Sequence, residues 1–99
     1  MRKLNQGTKE FVDVTVIDDQ GTLTTLNGLG LEYKVVKKNL GDVVIDWTAG
    51  NNVGMEAFCL IDTNVPSLWE EDQYSLFLKF ALAPEIPVIG PEHFLVVAL

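Results

Sequence analysis

The sequence predicts an all-β fold, a two-layer antiparallel sandwich, on three observations. Short apolar or alternating runs recur at nearly regular intervals, turn-forming residues separate them, and only one stretch carries even a helical turn. The first run covers residues 11–17, with Val12, Val14 and Val16 on one face and Phe11, Asp13, Thr15 and Ile17 on the other. The valine face reads as the core face, since successive side chains of a strand point to opposite sides. An acidic turn, Asp18-Asp19-Gln20-Gly21, ends it.

A brief β-branched run, residues 22–26, follows and closes at Asn27-Gly28-Leu29-Gly30. Residues 31–38 alternate, with Leu31, Tyr33 and Val35 inward and Glu32 and Lys34 outward. Residues 43–48 set Val43, Ile45 and Trp47 on one side, and a loop at 39–42 makes the two a hairpin with Trp47 expected in the core. Residues 55–61 are apolar on both parities, as in a strand covered on both faces.

Residues 62–73 hold the one possible helical turn, near 67–72, where Ser67 and Glu70 have capping-box spacing. Residues 74–82 form the strongest run, with Tyr74, Leu76, Leu78, Phe80 and Leu82 on one face, and are expected to be a central strand. Three prolines between Pro84 and Pro91 make residues 83–91 an expected extended loop, because proline cannot donate to a ladder. Residues 92–99 return as a final strand. About seven strands with one helical turn fit a sandwich of immunoglobulin type. The predicted organisation is an N-terminal arm, residues 1–7, and one β-sandwich domain, residues 8–99.

Composition bounds function more than it identifies it. A chain of 99 residues supports a single core, and a hydrophobic content of 47% marks a folded domain rather than a disordered tail. The net charge of −7 is uneven, with six of the seven basic groups among residues 1–38 and nine of the fourteen acids among residues 39–99. That balance argues against nucleic-acid binding, which needs clustered Lys and Arg to displace phosphate counterions. The sequence shows no membrane span and no signal-peptide stretch at its start, so no membrane partner is expected. Cys59 is the only cysteine, which removes an internal disulfide and a multi-cysteine zinc site and mildly favours a reducing compartment.

Candidate chemistry is sparse. His93 is the only histidine, and Ser67 or Ser75 could pair with it, yet neither serine sits in a nucleophile elbow or beside a glycine-rich oxyanion loop. Glu70, Glu71 and Asp72 adjoin Trp69, but consecutive acids point in different directions and make no cleft pair. Asp18, Asp19 and Asp62 could hold calcium only if their loops met, and their spacing matches no calcium loop. The glycines form no phosphate-binding sequence. No catalytic residue, metal, cofactor or small-molecule substrate is expected, and the chain reads as non-enzymatic.

Two features point to docking. Phe58, Leu60 and Phe77 lie off the core parity of their strands, and exposed apolar patches mark interfaces. The arm and the proline loop are suited to clasping neighbours. The predicted interface residues are therefore Met1, Arg2, Lys3 and Leu4 of the arm, Phe58, Leu60 and Phe77, and Pro84, Ile86, Pro87 and Ile89 of the loop. Edge strands add backbone groups for strand addition.

The strand Val12-Asp13-Val14-Thr15-Val16 followed by Asp19-Gln20-Gly21, the strand Leu31-Glu32-Tyr33-Lys34-Val35 after a glycine turn, Asp62 before the crossover, and Trp69 leading to Tyr74, Leu76, Leu78 and Phe80 together form a pattern. It resembles the small immunoglobulin-like β-sandwich domains of tailed-bacteriophage virion proteins, among them the N-terminal domain of phage baseplate upper proteins. The resemblance covers about residues 8–98. It implies a structural subunit of a phage particle, a head decoration, neck or tail accessory protein, assembled in the host cytoplasm. Its partners would be other virion proteins or copies of itself in a symmetric assembly. The alternative, from a different class, is a carbohydrate-binding or adhesion module that stacks a sugar on Trp69.

Overall fold

The computed structural model describes residues 2–17, 24–37, 41–64, 69–82 and 88–97, the side chains of 88–91 excepted. Among these residues eight strands form: β1 (Arg2–Asn5), β2 (Lys9–Thr15), β3 (Leu31–Lys37), β4 (Val43–Ala49), β5 (Asn51–Val53), β6 (Glu56–Asp62), β7 (Asp72–Phe80) and β8 (Val88–Val97). They build a five-stranded sheet, β1-β8-β7-β3-β4, packed on a three-stranded sheet, β2-β6-β5. The all-β sandwich is as the alternating runs predict.

Alternation fixes each strand's phase. In β3, Leu31, Tyr33 and Val35 are buried, and in β7, Tyr74, Leu76, Leu78 and Phe80 are buried. β7 lies between β8 and β3, the central place expected of the strongest run. The facing sheet contributes Val12 of β2 and Ala57, Cys59 and Ile61 of β6 to the same core. Tyr33 crosses the sandwich, its hydroxyl donating to the Leu60 carbonyl at 2.7 Å. Burial pushes the Cys59 thiol up to about 12, which keeps it protonated and inert at neutral pH.

Four expectations are corrected. The arm is not free: β1 pairs in parallel with β8, from Arg2 opposite Phe94 to Asn5 opposite Val97, and Leu4 is 1% exposed. The helical turn near 67–72 does not form over its described part. Residues 69–71 form bends that lead straight into β7, and residues 67 and 68 lie outside the described residues. The cause is visible in the packing: the ring of Trp69 lies 5.1 Å from that of Tyr74 and 6.4 Å from that of Phe94, and the Tyr74 hydroxyl donates to the Glu70 carbonyl at 2.8 Å. These contacts pull the corner open.

The proline loop is shorter than expected, because Val88 and Ile89 already pair with Lys79 and Leu78. Register runs from Leu76 opposite Glu92 to Leu78 opposite Ile89, so Gly90 and Pro91 together face Phe77. That bulge is where a strand can hold a residue with no N–H. Lastly, the brief strand at 22–26 is absent over its described residues 24–26, and residues 22 and 23 lie outside them. Leu26 instead enters the core from a loop, and its N–H donates to the Gly54 carbonyl at 2.8 Å.

β4 is irregular at two places, Val44 being extra between the pairs Val36–Val43 and Val35–Ile45, and the second is a bulge at Asp46 and Trp47. Tyr33 faces Thr48 and Val35 faces Ile45, so Asp46 and Trp47 together face Lys34. The Asp46 carboxylate accepts the Trp47 N–H at 2.8 Å, and the Thr48 hydroxyl donates to the Asp46 carbonyl at 2.7 Å. The bulge breaks the alternation that would have sent Trp47 inward.

The crossing from β1 in one sheet to β2 in the other takes three residues. Gly7, at φ 85, makes the reversal, in the left-handed region that side chains avoid. Thr63, fully buried, holds it: its hydroxyl accepts the Thr8 N–H at 3.1 Å and lies 3.0 Å from the Asn5 carbonyl and 3.1 Å from the Thr8 carbonyl. The Gly7 N–H donates to the Thr63 carbonyl at 3.0 Å, and the Thr63 N–H to the Thr8 carbonyl at 2.8 Å.

Replacing Thr63 with Val keeps the volume and strands the Thr8 N–H, so Thr63→Val is expected to cost about 1–3 kcal/mol in urea unfolding; an unchanged midpoint would show that the crossing holds without the hydroxyl. At Gly30 (φ +69) an added Cβ would lie 2.8 Å from Leu82 Cγ and 3.0 Å from Leu82 N, whereas at Gly28 (φ +78) it meets nothing within 4 Å. Gly30→Ala should therefore destabilise by roughly 1–3 kcal/mol, and by more than Gly28→Ala. Equal losses would mean that backbone strain alone counts at both.

Candidate functional site

The outer face of the three-stranded sheet collects the side chains that β2, β6 and β5 turn away from the core. Register sets Lys9 opposite Asp62, Phe11 opposite Leu60, Asp13 opposite Phe58 and Thr15 opposite Glu56, while β5 adds Asn51 beside Phe58 and Val53 beside Glu56. Phe11 is 49% exposed, Leu60 40% and Val53 72%, and Phe58 is half-buried. The Phe11 and Phe58 rings meet edge to face, centroids 6.4 Å apart. Phe11, Asn51, Asn52, Val53 and Phe58 line a shallow open groove of about 290 Å³.

Charges frame the apolar band. At one end Lys9 Nζ lies 3.9 Å from Asp62. Toward the other, Arg2 reaches round from β1 to bond Asp13, and Asp13 also bonds Glu56. The Arg2 guanidinium, first, and then the Glu56 contact hold the Asp13 carboxyl below its usual range; the hydrogen bond to Asp13 and partial desolvation hold Glu56 above its own. This surface offers apolar area, an aromatic edge and an acidic rim.

The predicted interface residues divide. Phe58 and Leu60 meet in this band, but Phe77 belongs to the outer face of the five-stranded sheet, where it faces Lys34. Arg2 and Lys3 are exposed on β1, Arg2 engaged with Asp13, whereas Leu4 is core and cannot dock. Met1, Pro84, Ile86 and Pro87 lie outside the described residues, and Ile89 is placed only by its ladder partner Leu78. Phe11 and Val53, which are not among the predicted interface residues, complete the band. Phe11's outward parity was the available signal, whereas Val53 is hidden in a turn-like, asparagine-rich segment.

The tryptophans exchange roles. Trp69 is 3% exposed and packed on Tyr74 and Phe94, so it presents no open ring to a sugar. Trp47, expected in the core, is half-buried with Lys79 Nζ 4.4 Å and Lys34 Nζ 5.8 Å from its ring centroid, both within cation–π reach. Lys79 also pairs with Glu32 at 3.5 Å.

Ser75 and His93 do meet. They are cross-strand partners of β7 and β8, with Ser75 Oγ 3.1 Å from His93 Nδ1. Ser75 is 5% exposed in the middle of a paired strand, so the hydroxyl has neither the access nor the turn geometry that a nucleophile uses. Of the calcium candidates, Asp18 and Asp19 lie outside the described residues, and Asp62 is bound to Asn64 and Lys9. Among the described residues no group of three or more His, Cys, Asp or Glu could hold a metal.

The exchange of the tryptophans is open to direct measurement. Acrylamide should quench the Trp69→Phe variant, which keeps Trp47, more strongly than Trp47→Phe, which keeps the buried indole. Equal quenching in the folded proteins would contradict the placement of the two rings. Neither protein-family models nor curated protein sequences match this chain.

Proposed function

We propose that this chain is a non-enzymatic docking subunit, an immunoglobulin-type sandwich that works through the outer face of its three-stranded sheet. One observation carries the reading: Phe11, Phe58, Leu60 and Val53 form a contiguous, partly exposed apolar band on the outer face of the sheet. At about 25 cal/mol per Å², covering a patch of a few hundred Å² gains on the order of 5–10 kcal/mol before the cost of association. That is a weak contact by itself and an adequate one where many copies engage together.

The immunoglobulin type is supported by strand order and by one corner. A four-or-more-stranded sheet running β8-β7-β3-β4 over β2-β6-β5 follows the order of that fold, and the Tyr74 hydroxyl bonded to the Glu70 carbonyl has the form of its tyrosine corner. Two residues on, where antibody domains place a cysteine, stands Leu76, 1% exposed. The particular setting we propose is the tailed-phage virion, assembled in the host cytoplasm, with another particle protein or a further copy of the chain as partner. The resemblance in strand and turn pattern supports it.

The test is sedimentation of a tagged chain from the cells that naturally produce it. The wild-type chain is expected in fast-sedimenting particles and the Phe11→Ser/Leu60→Ser variant, folded by its unfolding midpoint, at the top of the gradient. Both species at the top would remove the assembly reading, and both in particles would remove this face from it.

A further inference from the structure

We infer that the occupant of the Phe11–Phe58–Val53 groove is a basic, apolar-bearing segment of a different protein, whose Lys or Arg lands on Glu56 while its apolar side chain covers Phe58 and Val53. The inference rests on the docking reading above and specifies the partner's chemistry.

Charge complementarity carries it. The band is bordered by three carboxylates, Asp13, Glu56 and Asp62, against two cations, Arg2 and Lys9. Both cations are engaged, Arg2 with Asp13 and Lys9 with Asp62, and among the described residues no salt bridge reaches Glu56. Glu56 stands beside Val53 and opposite Thr15, at the groove end of the face, and is half-buried against a second carboxylate. The hydrogen bond to Asp13, first, and then desolvation hold its carboxyl above the usual range. An apolar side chain alone would take water from Glu56 and Asp13 and leave two carboxyls sharing one hydrogen bond, whereas a Lys or Arg supplies the further donor that burial here favours.

The same bookkeeping disfavours a second copy. Each chain carries −7, and a net charge far from zero opposes association of like molecules. A face with a net acidic rim meets the same rim on a copy, whereas a Lys or Arg on a foreign segment meets its complement.

Two synthetic tetrapeptides, Ac-Phe-Lys-Leu-Lys-NH2 and Ac-Phe-Glu-Leu-Glu-NH2, titrated into the isotopically labelled full chain, test this by amide chemical shifts. The basic peptide is expected to move the resonances of Val53, Glu56 and Phe58, and the acidic one to bind at least tenfold more weakly. Glu56→Gln should weaken the basic peptide about fivefold and Val53→Ser, at a 72% exposed position, should weaken it without unfolding the chain. Equal binding of the two peptides, or no shift at these residues, overturns the basic-partner inference, and so does a concentration-dependent dimer in sedimentation equilibrium that Leu60→Ser abolishes. None of these results touches the particle-sedimentation outcome, so the sheet-face reading stands or falls separately.

Discussion

The buried threonine at position 63 governs how the two layers are joined. The chain leaves β1 in one sheet and enters β2 in the other within Gln6–Thr8, and three separate backbone groups of that crossing are bonded to Thr63. Because a strand's faces alternate residue by residue, the point at which β2 begins decides which of its side chains are inside. Fixing Thr8 against Thr63 sends Val12 into the core and leaves Phe11 and Asp13 outside. A slip of one residue would reverse them and erase the outer face described above. The acidic rim and the apolar band are thus consequences of a knot some distance away along the strand.

With a single cysteine the sandwich holds without a cross-link between its sheets. An aromatic group stands at one end: Tyr74 and Phe94 stack at 5.6 Å with an 18° interplanar angle, and Trp69 leans on both. Such rings bury large area, and paired aromatics add roughly 0.5–1.5 kcal/mol each beyond that area. Around them the polar atoms are satisfied; among the described residues no buried side-chain nitrogen or oxygen lacks a partner. Lys37 closes the corner, its side chain 14% exposed and bonded to Glu70 at 2.8 Å. The Glu70 bond holds the Lys37 ammonium above its usual range.

What the sequence discloses follows from which interactions are local. β2, β3 and β7 announce themselves by alternation, and the hairpin of β3 with β4 by its loop, because pleat and turn are properties of a few adjacent residues. β1 does not, since Arg2-Lys3-Leu4-Asn5 has one apolar side chain and becomes a strand only because β8 offers an open edge. The start of β8 is hidden by prolines that a bulge makes tolerable. The bulge in β4 is also why Trp47 leaves the core face that its parity predicts: an extra residue shifts the parity, and nothing in the sequence near Trp47 marks the extra residue. Half of the candidate band, Phe58 and Leu60, was legible as off-parity residues, while Val53 needed the pairing of β5 with β6 to be placed.

The bulged edge of β4 has a bearing on life at high local concentration. A protein that gathers in many copies risks its sheets joining edge to edge into fibres, since an open edge is a template for any other strand. At Asp46–Thr48 the chain answers its own backbone, with a carboxylate taking one N–H and a hydroxyl serving one carbonyl. An incoming strand meets an interrupted pleat and the exposed Asp46 carboxylate in its path. At this edge of the larger sheet, contact between molecules falls to side chains, which discriminate between partners, rather than to the backbone, which does not.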